Sequence, residues 1–185
     1  MYPQGCVGSS PTFGTRRKPS LKKRVFLYEY ENMEINSIKP YGEKQEQFDR
    51  RYLEMAQIWA QNSYCERRKV GALIVKDKMI ISDGYNGTPS GFENVCEDED
   101  YKTKPYVLHA EANAITKVAK SNNSSDYATL YVTTSPCMEC SKLIIQSGIK
   151  RVVYSGEYHT DEGIKLLERA QIEVVHLPNE VLNIK

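Results

Sequence analysis

His109-Ala110-Glu111-Ala112-Asn113-Ala114-Ile115 and, further on, Ser135-Pro136-Cys137-Met138-Glu139-Cys140 form the stretch on which both fold and chemistry turn. One imidazole and two thiolates suit zinc, and three protein ligands leave the fourth tetrahedral position open for water, as a catalytic site requires. Residues three apart share a helix face, so Cys137 and Cys140 can grip one ion if a helix begins there. Both donor groups fall at predicted helix starts, where the positive end of the helix dipole favours thiolate over thiol. Glu111, two residues from His109 at a helix entry, is placed to relay a proton from water at the open position. Two thiolates cancel the formal charge of the ion, so a neighbouring base matters more than it would beside three histidines. A C-x-x-C pair alone also suits a structural zinc knuckle or a redox pair. A knuckle needs a fourth protein ligand, and none lies close in sequence. A redox pair has no use for His109-Ala110-Glu111 at the head of the preceding helix.

Working outward from that stretch, Glu111 to Lys120 reads as a helix and Ala128 to Thr133 as a strand. Pro136 suits the first turn of a second helix, and Gly148 marks its end. Upstream, Phe48, Tyr52, Met55, Ile58 and Trp59 recur at helical spacing, predicting an amphipathic helix from Gln45 to about Ser63. Val70 to Lys76 and Met79 to Ser82 are β-rich runs joined by Asp77-Lys78, a predicted hairpin. Gly84-Tyr85-Asn86-Gly87-Thr88-Pro89-Ser90-Gly91 is dense in turn formers and reads as a loop. Arg151 to Tyr154 predicts a strand, Asp161 to Ala170 a helix and Glu173 to His176 a last strand. The order α-β-β-α-β-α-β-α-β implies an α/β protein with a mixed five-stranded sheet and helices on both faces.

The chain has 185 residues, enough for one domain with a continuous core. Its first twenty residues are rich in Gly, Pro and Ser without periodicity and read as disordered. We therefore expect a flexible N-terminal extension over residues 1–40 and the folded domain over 45–185, with Met33 a candidate initiator. No apolar stretch approaches the ~20 residues of a membrane span. Without a secretion signal either, the chain reads as cytoplasmic. Met1 to Asn32 holds six basic and two acidic residues, which leaves 19 basic and 22 acidic for the remainder. A body with that balance is a poor general binder of nucleic acid. Small-molecule chemistry is favoured.

Five cysteines without a secretion signal argue against a disulfide framework. Cys65 and Cys96 are expected to be buried free thiols.

From about Tyr52 onward the chain resembles the deoxycytidylate (dCMP) deaminases of the cytidine deaminase-like superfamily. The resemblance rests on Val70-Gly71-Ala72, the Gly84–Gly91 loop, His109 to Ile115, Ser135 to Cys140 and Ile144-Ile145-Gln146-Ser147-Gly148-Ile149-Lys150. The H-x-E and P-C-x-x-C pattern is shared by many zinc deaminases, whereas the loop and the Gly148-Ile149-Lys150 segment are more particular. The resemblance implies a three-layer α/β/α cytidine deaminase-like fold. It also implies hydrolysis of dCMP to dUMP and ammonia by a zinc-activated water with Glu111 as proton shuttle, supplying dUMP for dTMP synthesis. His109, Cys137 and Cys140 would hold the zinc. Asn86, Ala110, Ser135 and Tyr158 would contact substrate. Gly84, Tyr85, Gly87, Pro89 and Gly91 would meet an allosteric nucleotide, dCTP with Mg2+ as activator or dTTP as inhibitor. Self-association, often to a hexamer, is implied as well. Some members hold a second, structural zinc through cysteines at positions like Cys65 and Cys96 with histidines from an insertion. No histidine lies between Cys96 and His109, so a second zinc is not expected.

Arg67, Arg68 and Lys69 are candidates for contact with a substrate or effector phosphate, although such a run is also a common solvated edge. Two other functions compete. A tRNA- or RNA-acting zinc deaminase would share the metal motif but need a basic docking surface. A non-catalytic zinc-fold binding protein would have no need of Glu111.

Overall fold

The computed structural model describes residues 42–178. The expected extension over 1–40, with Met33, lies outside them. Nine elements follow in the predicted order: α1 (Glu43–Ala60), β1 (Gly71–Lys76), β2 (Met79–Tyr85), α2 (Ala110–Ala119), β3 (Thr129–Thr134), α3 (Met138–Gln146), β4 (Arg151–Gly156), α4 (Glu162–Arg169) and β5 (Glu173–His176). The strands form one sheet in the order β2-β1-β3-β4-β5. β1 runs antiparallel to both β2 and β3, while β3, β4 and β5 are mutually parallel, so the sheet is mixed. At the hairpin, Asp77 and Lys78 take φ of 50° and 64°. Positive φ at both central residues matches the twist of paired strands.

Side chains alternate across the sheet and divide the core in two. On one face Ala72, Ile74, Leu130, Val132, Val152 and Tyr154 pack with Ala110, Ala114 and Val118 of α2, Ile144 of α3 and Leu167 of α4. On the other, Leu73, Val75, Tyr131 and Val153 meet Leu53 and Ala56 of α1. This is a three-layer α/β/α sandwich with three helices on one side and α1 on the other. Ile144 and Leu167 are wholly buried, each contributing about 1.5–3 kcal/mol by removal from water. Among the described residues, no helix is long and apolar enough to cross a membrane.

β4 extends further than predicted, to Gly156, and β2 to Tyr85. Gly84 and Tyr85, read as the start of a loop, complete β2 and pair with Ala72 and Gly71. The glycine serves packing here. A Cβ on Gly84 would collide with the Ala110 carbonyl and approach the Ala114 nitrogen to 2.7 Å, so its absence lets the first turn of α2 lie directly on the strand.

The α1 face holds a buried charge network absent from the predicted scheme. Asp49 is fully buried and accepts from Tyr131 Oη at 2.6 Å and from Arg151 Nη1 and Nη2 at 2.9 and 2.7 Å. Burial, and then donation to Asp49, hold the Tyr131 phenol well above its ordinary pKa. Arg151 also meets Glu173 at 2.9 Å. The network ties α1 to β3 and β4. Removing one partner of a buried pair strands the other charge. Asp49→Ala is therefore expected to lower stability by about 3 kcal/mol, read from urea unfolding; a loss below about 1 kcal/mol would show that the network does not anchor α1.

Candidate active site

β3 is the axis of the site. α2 leads into β3 and α3 leaves it, so the N-termini of both helices lie at the carboxyl end of that strand. His109 is the N-cap residue of α2, in extended backbone (φ −72°, ψ 157°), and Cys137 is the N-cap of α3 (φ −74°, ψ 171°). Neither side chain caps its own helix, which leaves both free to turn toward each other. Gly163 of α4 supports the second helix start: a Cβ there would strike the Pro136 carbonyl and approach the carbonyl carbon of Cys137 to 2.8 Å.

The donor atoms of His109, Cys137 and Cys140 lie within 4.8 Å of one another. His109 Nδ1 is 3.5 Å from Cys137 Sγ and 3.4 Å from Cys140 Sγ. Zinc bonds of about 2.3 Å to sulfur and about 2.05 Å to nitrogen, at tetrahedral angles, put nitrogen and sulfur about 3.5 Å apart. The residues fit zinc. They also show the proton chemistry that binding demands. Hydrogen bonding from Cys140, and then from His109, lowers Cys137 to about 3, and the same contact raises Cys140. Metal binding takes both sulfurs as thiolates and so releases protons.

Glu111, the second residue of α2, is buried beside them at 4% exposure. Burial pushes its carboxyl up to about 7, against the lowering effects of a backbone hydrogen bond and of His109. That value suits a group that both takes and returns a proton near neutrality.

His109, Glu111 and Cys137, but not Cys140, line a cavity of about 490 Å³, within the usual range for small-molecule sites. All four expected substrate contacts, Asn86, Ala110, Ser135 and Tyr158, line it. Asn86 doubles as a strut: Oδ1 accepts from Val70 N and Nδ2 donates to the Arg68 carbonyl, both at 2.8 Å. One amide N–H and one lone pair remain for other partners. Ser135 Oγ accepts from Tyr158 N at 2.7 Å, which places the tyrosine over the cavity. Arg67 and Arg68 line the cavity as well, and Lys69 does not. Of the expected effector residues, Tyr85, Gly87, Pro89 and Gly91 surround a separate cavity of about 150 Å³; Gly84 does not.

Several lining residues escaped the sequence reading. His159 packs against Tyr158 with ring centroids 3.9 Å apart and planes tilted by 44°, and its adjacency to Tyr158 was the available signal. Glu97 accepts from the amides of Glu66 and Arg67 at 3.3 Å each; within the acidic run Glu97 to Asp100 nothing distinguishes it in sequence. The cysteine expectation needs correcting. Cys65 and Cys96 are buried as expected but are joined in a disulfide rather than free. The loop after Gly87 folds back over the segment that leads into β1, and so brings together two residues 31 apart in sequence.

Residues 46–156 match the family described as the cytidine and deoxycytidylate deaminase zinc-binding region. The chain belongs to that family. Among individual relatives, it is 38% identical over 137 residues to the deoxycytidylate deaminase of Saccharomyces cerevisiae, covering 69% of this chain and 44% of the yeast protein. It therefore spans less than half the length of that relative. It is also 38% identical over 143 residues to ComE operon protein 2 of Bacillus subtilis, covering 72% of this chain and 74% of the other. The crystal structure of the dCMP deaminase of cyanophage S-TIM5, in complex with dCMP and dUMP, superposes with a TM-score of 0.70 and 45% identity. That match covers 76% of this chain and 99% of the phage protein.

Glu111 supplies a pH test. Its folded pKa of about 7 lies above its ordinary 4.5, so its stabilising contribution is present below about 4.5 and is lost as pH rises through about 7. In chelator-treated protein, Glu111→Gln should be more stable than wild type at pH 8, by about 3 kcal/mol at most, with the difference vanishing near pH 4. Equal melting temperatures at pH 8 would contradict the burial of an ionisable carboxyl.

Proposed function

We propose that the protein hydrolyses dCMP to dUMP and ammonia. The observation that carries this reading is buried Glu111 beside the His109–Cys137–Cys140 set, with Glu111, His109 and Cys137 lining a cavity of about 490 Å³. Zinc held by those three residues would supply Lewis acidity that makes an attacking water more acidic. Glu111 takes the proton that the water gives up and passes it to the ring nitrogen next to the reacting carbon. The carbon–amine bond then breaks, with Glu111 carrying a proton toward the departing ammonia. Burial of Glu111 keeps bulk water from competing for that proton. The Ala110 backbone, between the metal ligand and the proton carrier, would read the pyrimidine edge. The spare amide N–H of Asn86 would reach the sugar, and Tyr158, fixed by Ser135, would close over the ring. Arg67 and Arg68, on the cavity wall, would meet the phosphate.

The choice of dCMP is supported by the likeness to the phage enzyme crystallised with dCMP and dUMP and by the slightly acidic body, which suits a small anion better than a polynucleotide. The cytoplasm, where dUMP is consumed in making dTMP, is the compartment this reading implies. Regulation belongs to the same proposal. The cavity around Tyr85, Gly87, Pro89 and Gly91 would admit the base of dCTP or dTTP, with Mg2+ and the phosphates outside it. β2 would connect that cavity to α2 through Gly84 and Ala110. Self-association, up to a hexamer, is supported by the exposed apolar row Met55, Ile58 and Trp59 on α1.

Ammonia release with dCMP, dCTP, cytidine and a tRNA as substrates tests the reading. We expect dCMP to react fastest, with dCTP–Mg2+ raising and dTTP lowering the rate. Glu111→Gln should reduce turnover by at least about 10²-fold while zinc content is retained. Reaction of tRNA with dCMP untouched would overturn the proposal.

A further inference from the structure

Between Gly87 and Leu108 the chain leaves the sandwich and returns, its two ends joined by a reciprocal backbone pair at 3.1 and 2.9 Å. The excursion over 88–107 has no helix and only a single internal bridge, Glu97 to Thr103. It packs weakly: Phe92, Val95 and Tyr101 are 53%, 52% and 65% exposed. Yet its inner edge supplies Glu97, Thr103 and Val107 to the cavity, which Arg67 and Arg68 also line. The ties from this excursion to the 65–70 segment are few. Arg67 to Thr103 (3.1 Å) and Tyr101 to Glu66 (2.9 Å) are exposed, and exposed polar pairs hold little. The Glu97 bonds to the amides of Glu66 and Arg67 are long, at 3.3 Å. The Cys65–Cys96 disulfide is the one covalent tie, buried at 2% and 1% exposure, and Cys65 itself borders the cavity.

We propose that Cys65–Cys96 is a reducible clamp that positions the 88–107 wall of the cavity and thereby sets substrate affinity. The substrate half of this statement rests on the dCMP reading above. Disulfides in a reducing compartment are usually transient and redox-sensing. A dithiol reductant opens the clamp in two steps. Its thiolate attacks one sulfur and breaks the Cys65–Cys96 bond to form a mixed disulfide. Its second thiol then displaces the protein sulfur, leaving two cysteine thiols and one cyclic disulfide of the reductant. Two electrons and two protons pass to the protein. Without the cross-link, an element with little buried apolar surface opens more readily. Cys65 and Cys96 act through the wall rather than on the reacting atoms, so the effect should fall on KM and spare kcat.

The test uses the full zinc-loaded chain before and after treatment with a trialkylphosphine. The thiols titrated in denatured, chelated protein should rise by two on reduction, as the Cys65–Cys96 bond opens. Hydrogen exchange should quicken across 88–107 while α2 and α3 stay unchanged. KM for dCMP should rise about tenfold, with kcat within about twofold. Cys65→Ser/Cys96→Ser should reproduce the reduced behaviour without reductant. Five thiols at the outset, a second zinc equivalent lost in that double variant, unchanged exchange, or dCMP turnover with unchanged KM would each overturn the clamp. Absence of dCMP turnover in both states would refute the dCMP reading and the affinity role that rests on it, while exchange would still decide whether the wall is clamped.

Discussion

Everything in this molecule depends on two helix N-termini meeting at the carboxyl end of one strand. α2 enters β3 and α3 leaves it, so a helix–strand–helix unit brings His109 and Cys137 face to face without any long-range search. The approach is close because the chain omits side chains where backbone must touch backbone. Gly84 lets α2 sit on β2, and Gly163 lets α4 press against the start of α3. The reward is electrostatic as well as geometric. Two positive helix ends favour the thiolate forms that a cation requires, and Cys140, one turn into α3, completes the set.

The rest of the cavity is assembled from the same edge of the sheet. Val70 precedes β1, which runs opposite to β3, while Asn86, Ser135 and Tyr158 follow β2, β3 and β4. Each of these four strands therefore delivers one residue to the rim. Asn86 is bonded to Val70 and Arg68, and Ser135 to Tyr158, so the rim is cross-braced before any ligand arrives. Such pre-organisation lowers the ordering cost of binding. On the opposite face, the Asp49–Tyr131–Arg151 network fixes α1 to the strands that carry the site. Stability and chemistry thus occupy different faces of one sheet.

The sequence disclosed what local spacing determines. Helical spacing located α1, β-rich runs and turn formers the strands, and Pro136 with Gly148 the ends of α3. The H-x-E and C-x-x-C spacings located the donors, because each ligand group lies within one helical turn. Features that depend on the path of the chain through space were hidden. Cys65 and Cys96 are ordinary buried cysteines in sequence; only the return of the 88–107 excursion makes them partners. Asp49 looks like one more polar residue on a helix, and its burial follows from Arg151 being 102 residues away in sequence yet adjacent in space. Gly84 and Tyr85 read as a turn because glycine so often marks one, but here the close approach of α2 requires the glycine. The bracing role of Asn86 was likewise invisible, since an asparagine in a glycine-rich loop has many local uses.

A single shared ion at the head of α2 and α3 explains why the glycines, the helix order and the buried glutamate occur together. Zinc K-edge absorption spectroscopy on the purified protein tests that ion directly. The expected first shell is two sulfurs at about 2.3 Å and one nitrogen at about 2.05 Å, with one oxygen in the fourth position. Chelated or Cys137→Ser protein should lose that signal. A shell of four sulfurs, or one without sulfur, would contradict the shared site.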